Sequence, residues 1–178
     1  MSTSLTGAAH TGTLDLLVVD ADADRYVSVL SSMFRVVTAS IAAALERMTR
    51  AVPAALVVAL DGADGAPLVL IARARALSVP PVVLVLTAEP ACVPDAIMAG
   101  CGSVLLQPFA PNLIYSRLSR MIRLRMGAVP ADCMREWPTT RCAHCDHEGV
   151  MSFEYASHRR AWYACLACKK VWMAKRLD

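Results

Sequence analysis

From residue 14 to about residue 126, short apolar runs alternate with stretches whose apolar positions recur every three or four residues. "LDLLVVD" (14–20) is an almost unbroken apolar run closed by an acid, the pattern of a strand buried on both faces of a parallel sheet. "FRVVTA" (34–39), "AALVVAL" (54–60), "PVVLVLT" (81–87) and "GSVLLQ" (102–107) repeat it. Between and after them, "ADRYVSVLSSM", "SIAAALERMTR", "GAPLVLIARARAL", "PDAIMAG" and "PNLIYSRLSRMIRLRM" carry helical spacing. Strands alternating with helices in this way predict an α/β domain with a doubly wound, five-stranded parallel sheet. Ligands of such sheets gather at the carboxyl ends of the strands, which here are Asp20, the segment around Asp61, Thr87 and Gln107.

The pattern stops after the last helix. "GAVPADCMREWPTT" (127–140) has a glycine, two prolines and no periodicity, and reads as a linker. Residues 141–178 then form a second unit, dense in cysteine, with short aromatic strands. Residues 1–13 have neither a basic start nor a long apolar stretch, so they read as a flexible lead-in rather than a signal peptide. The expected organisation is therefore 1–13 lead-in, 14–126 sheet domain, 127–140 linker and 141–178 small β unit.

Composition adds three constraints. With 56% hydrophobic and 19% charged residues over 178 positions, the chain can bury a core. No apolar run reaches the roughly 20 residues that a spanning helix needs, so a membrane partner is not expected. Without an export signal, a cytoplasmic location is expected, where the seven cysteines stay reduced rather than forming disulfides. The net charge of +3 is unevenly spread: residues 1–114 hold 6 Lys/Arg against 9 Asp/Glu, and residues 115–178 hold 12 against 6. A basic end suits nucleic acid or an acidic protein, and equally a solvated surface.

The cysteines carry the sharpest chemical signal. Cys142/Cys145 and Cys165/Cys168 are two Cys-x-x-Cys pairs separated by nineteen residues. Each pair can turn two thiolates to one side of a knuckle, and a hairpin between the knuckles ("GVMSFEYA", turn "SHRR", return "AWYAC") brings all four to one ion. The unit resembles a zinc ribbon, with a structural Zn²⁺ held by four cysteines. A unit this small also needs metal, because it cannot bury enough apolar surface to fold alone. Iron accepts the same ligands. One of His144, His147 or His158 could replace a thiol, although four spaced cysteines leave that unnecessary. Cys133 reads as a bystander, and Cys92 and Cys101 as small buried apolar residues.

Residues 14–126 resemble a receiver domain of the two-component response regulators, a flavodoxin-like fold. "LLVVDAD" is similar to the first strand and its acidic end, "PAALVVALDGADG" to the third strand and following loop, "VLVLTA" to the fourth strand with its switch hydroxyl, and "AGCGSVLLQPF" to the fifth strand and its lysine-proline turn. The resemblance implies an aspartate that attacks phosphorus, two acids that help hold Mg²⁺, and a hydroxyl and a lysine that bind phosphoryl oxygens. Asp20 matches the first acid, but Ala21 sits at the second and Asp22 one place later. Mg²⁺ demands near-octahedral oxygen ligands, which makes the displaced Asp22 a poor substitute and a magnesium site unexpected. Six residues after Pro53, where the acceptor belongs, stands Ala59; Asp61 is two residues on and could serve only in a shifted register. Thr87 matches the hydroxyl. Val104 holds the place of an aromatic switch, and Gln107 replaces the lysine. The resemblance is thus to a degenerate, pseudo-receiver form, outside a working phosphorelay.

No nucleophile–base pair, phosphate-cradling loop or acid/base carboxylate pair is present, so an enzyme is not expected. Two readings stay open. In one, the chain regulates signalling by contact, with a histidine kinase or another regulator as partner, or as a homodimer through the last receiver helices, the family's usual contact face. Ile114, Leu118, Met121 and Ile122 form the core stripe of the last helix, with Arg117, Arg120 and Arg123 as a basic ridge. In the other, it is a DNA-binding transcription regulator. Arg159, Arg160, Lys169, Lys170, Lys175 and Arg176 would then meet phosphates, and the ribbon aromatics would stack on bases.

Overall fold

A computed structural model describes residues 13–60, 65–125, 141–148 and 160–175 in full and the backbone of 150–155. Residues 1–12 of the lead-in, the linker with Cys133, Asp61, His158, Arg159 and Arg176 lie outside the described residues. Five strands, β1 (Leu14–Val19), β2 (Phe34–Thr38), β3 (Ala55–Ala59), β4 (Val82–Thr87) and β5 (Ser103–Leu106), pair in parallel in the order β2-β1-β3-β4-β5. Helices α1 (Asp24–Ser31), α2 (Ile41–Arg50), α3 (Ala66–Arg75), α4 (Val93–Ala99) and α5 (Pro111–Arg125) connect and flank them. This is the flavodoxin-like, doubly wound sheet that the alternating pattern predicts.

The apolar strands are buried because helices cover both faces. On one face, Leu17, Leu56, Val58 and Val85 pack with Met48 of α2, Leu70 and Ile71 of α3, and Val93 of α4. On the other, Leu16, Val57, Leu84 and Leu105 pack with Tyr26 and Leu30 of α1, and Ile114, Leu118 and Ile122 of α5. The stripe on α5 follows its helical spacing, with Met121 half-buried at its margin. Helix ends obey local chemistry. Ser40 caps α2 by accepting the Ala43 amide at 3.3 Å, as short hydroxyl side chains do at N-termini. Gly100 closes α4 at φ 101°, a left-handed geometry that side chains resist.

The C-terminal unit is a three-stranded antiparallel sheet, β6 (Val150–Tyr155), β7 (Arg160–Cys165) and β8 (Val171–Lys175), in the order β6-β7-β8. It has one strand more than the hairpin that the sequence suggests. It also does not stand apart: β6 lies near β5, β7 near α4, and Ala164 is buried in the same apolar cluster as Val93 and Ala96 of α4. Among the described residues, no helix is long and apolar enough to cross a membrane.

Candidate metal centre and sheet-end crevice

The two Cys-x-x-Cys segments fold alike. The Cys142 amide donates to the His147 carbonyl at 2.9 Å, and the Cys165 amide donates to the Lys170 carbonyl at 3.0 Å, the same five-residue closure in each. The residue after the second cysteine of each pair, Asp146 or Lys169, is left-handed at φ 58°. Such a turn points two sulfurs inward. The four sulfurs of Cys142, Cys145, Cys165 and Cys168 lie within 4.8 Å of one another. Cys142 Sγ is 3.7 Å from Cys168 Sγ, and Cys145 Sγ is 3.7 Å from Cys165 Sγ. A tetrahedron with Zn–S bonds of about 2.3 Å has sulfurs about 3.8 Å apart. The cysteines therefore fit a metal ion without rearrangement.

Their electrostatics agree. Burial opposes ionisation of Cys142, but the amides of His144 and Cys145 and the neighbouring thiols hold it down at about 7. At Cys145 the His147 amide favours the thiolate, yet desolvation and the three other thiols push it up to about 12. Successive thiolates repel in so small a space, and a divalent cation relieves this. Among the described residues, no other group of three or more metal-ligating side chains converges. His144 instead packs edge-on against Trp172, with ring centroids 5.6 Å apart, and Trp172 stacks on Tyr163 at 6.0 Å. These aromatics cover the sulfur side of the sheet rather than standing open for bases.

At the other candidate site, the carboxyl ends of β1, β3, β4 and β5 meet. Val19 pairs with Val58, so one further step sets Asp20 beside Ala59. The Asp20 carboxylate is engaged within the chain, accepting from the Tyr26 hydroxyl and, at 2.8 Å, from the Asp22 amide. Asp22 is turned outward to Arg25 at 2.6 Å. Thr87 is fully buried; its hydroxyl donates to the Leu60 carbonyl at 2.8 Å and accepts from the Glu89 amide at 3.0 Å. The Gln107 amide closes the sheet onto the Thr87 carbonyl at 2.8 Å, and the Gln107–Pro108 peptide is cis. Val104 is buried in the core with no exposure. The crevice thus brings together Asp20, Ala59, Thr87 and Gln107, and it leaves Asp22 on the surface. The Tyr26 contact had no sequence signal beyond its place on the buried stripe of α1.

No family model matches the chain, and no curated protein matches it either. Solved structures do. The signal receiver domain of NarL from Mycobacterium tuberculosis is 25% identical with a TM-score of 0.52, the match taking in 62% of this chain and 97% of that one. A response regulator from Thermotoga maritima is 23% identical (TM-score 0.52, 62% and 98%). HP1043, an orphan response regulator of H. pylori, is 16% identical (TM-score 0.53, 63% and 98%). The sheet domain has the receiver fold.

Among the residues singled out for partner contact, Lys169 is already paired, its Nζ lying 2.7 Å from Asp95 Oδ1 of α4. Arg160, Lys170 and Lys175 are exposed. On α5, Arg117 reaches the Ser103 hydroxyl at 3.0 Å, whereas Arg120 and Arg123 face solvent.

Proposed function

We propose that the chain is an atypical response regulator whose receiver-like domain works by protein contact rather than by phosphotransfer, with a structural zinc ion in its C-terminal ribbon. The observation that carries this is the crevice. Beside Asp20 stands Ala59, whose methyl cannot form an acyl phosphate. The two polar side chains that match the receiver pattern there, Asp20 and Thr87, make their hydrogen bonds inward, to Tyr26 and the Leu60 carbonyl. Gln107 brings no cation, and a phosphoryl dianion needs positive charge as well as donors. Its natural partners are then a histidine kinase, another regulator or a second copy.

Zinc is favoured by the four-thiolate tetrahedron, which leaves no open position for substrate and so suits a structural ion. The nucleic-acid reading is weaker, because Lys169 is engaged by Asp95 and Trp172 lies stacked within the ribbon.

Incubation with a small phosphoryl donor and Mg²⁺, followed by intact-mass measurement, tests the main reading. No stable gain of a phosphoryl group is expected. Labelling that disappears in Asp61→Ala would overturn it and place the acceptor in the shifted register. Binding to mixed-sequence DNA that falls steeply with salt would move the function to the second reading.

A further inference from the structure

The ribbon sheet has two apolar faces with different duties. Along β7, Ala161, Tyr163 and Cys165 point to the knuckles. The alternate residues, Trp162 and Ala164, point the other way, and Val171 of β8 joins them. Ala164 is fully buried in the cluster that contains Val93 and Ala96 of α4 and Val104 of β5, and Trp162 and Val171 pack against that cluster. The back of the ribbon is therefore a wall of the sheet domain's own core.

The second knuckle grips the same helix. Lys169 follows Cys168 directly, in a left-handed conformation that glycine or asparagine adopts at lower cost. A lysine there contributes its side chain, and its Nζ reaches Asp95 in the first turn of α4. Ala164 and Lys169 flank Cys165 and Cys168 in sequence, so both attachments hang on residues fixed by the sulfur cluster.

We propose that the four-cysteine cluster is a metal-set clasp: the bound ion rigidifies the second knuckle, which holds the apolar back of the ribbon over α4 and β5, and loss of the ion uncovers that face. The occupant of the face is this chain's own ribbon, and an outside partner reaches it only when the clasp opens. This rests on the reading of the cysteines as a metal centre, which the experiment tests separately.

Hydrogen exchange read by mass spectrometry on the full chain, zinc-loaded and after chelation under reductant, decides it. Peptides across residues 93–106 should exchange roughly 10-fold faster without metal and recover on adding zinc back, whereas α1, on the opposite face, should not change. If 93–106 stay protected while the stripped ribbon itself exchanges freely, the clasp is wrong and the metal centre stands. If the purified chain carries no metal and gives no cobalt–thiolate spectrum on adding Co²⁺, both fall. Val171→Glu supplies the complementary arm. It should keep the cobalt spectrum yet speed exchange at 93–106, and unchanged protection there would overturn the clasp with the metal site intact.

Discussion

Thr87 discriminates between a structural strut and a signalling hydroxyl. It is fully buried, and its hydroxyl bonds both the Leu60 carbonyl at 2.8 Å and the Glu89 amide at 3.0 Å. Thr87→Val preserves shape and removes both bonds. Glu89 is exposed, so its amide can turn to water; Leu60 is only 2% exposed, and its carbonyl loses this donor inside the protein. A buried group left without a partner costs about 1–3 kcal/mol, so about 2 kcal/mol is expected. For a chain of this size that is a fall in Tm of about 4–8 °C. Thr87→Ser keeps the hydroxyl and gives up one methyl, about 1 kcal/mol. Urea unfolding of the three proteins should therefore rank wild type above Ser above Val, with unchanged m-values. A Val variant within about 0.5 kcal/mol of wild type would refute the reasoning, since no stabilising bond would have been lost. The hydroxyl would then be free to swing toward a phosphoryl group, and the contact-only function would lose one of its supports, with Ala59 and Gln107 left to carry it.

Three further outcomes are expected. Cys165→Ser or Cys142→Ser should lower bound zinc from one ion per chain to near none by elemental analysis, while Cys92→Ser, outside the sulfur cluster, should leave it unchanged. Cys101, pushed up to about 12 by burial, is a neutral thiol at pH 8 and should resist iodoacetamide until the protein is unfolded; rapid native alkylation would contradict its placement. The Asp15 carboxyl is held below its usual 3.8, chiefly by its hydrogen bonds from Arg35. A lowered carboxyl pKa stabilises the fold above the unfolded value and loses that contribution as pH falls through the folded one. The stability difference between wild type and Arg35→Ala should thus be present at neutral pH, remain small because the pair is solvent-screened, and vanish in acid. A difference that persists in acid would mean that Arg35 acts through packing instead.

The sheet domain was legible because parallel strands buried on both faces are mostly apolar, and the five strands from "LDLLVVD" to "GSVLLQ" are apolar but for Asp15, Arg35, Thr38, Thr87 and Ser103. The four-cysteine cluster was legible because two short turns at a fixed spacing leave the thiols few other arrangements. The third ribbon strand was not. "VWMAK" is short and follows two lysines that read as the end of the knuckle, and only its pairing with β7 makes it a strand. The join between ribbon and sheet domain was hidden for a related reason. Trp162, Ala164 and Val171 alternate as any ribbon face does, and pattern alone does not say which surface the face meets. The inward bond from Tyr26 to Asp20 depends on how α1 is set against β1, which spacing along one chain does not encode.

The same contacts explain which crevice residues match the receiver pattern and which depart from it. Asp20 and Thr87 match, and each has a bond within the fold that needs no phosphate: one anchors Tyr26 of α1, the other ties the end of β4 to the residue after β3. Ala59 and Gln107 depart, and the fold asks little of their side chains; Ala59 closes β3 with a methyl, and Gln107 holds the sheet through its backbone amide. Packing and hydrogen bonding thus account for every matching residue without phosphotransfer. Helix α4 is where the two halves of the molecule then meet. The turn that enters it hangs from Glu89, which Thr87 holds, and Asp95 in its first turn is held by Lys169 of the ribbon. Helix α4 thus joins the ribbon, through Lys169, to the end of β4 beside the crevice, through Glu89 and Thr87.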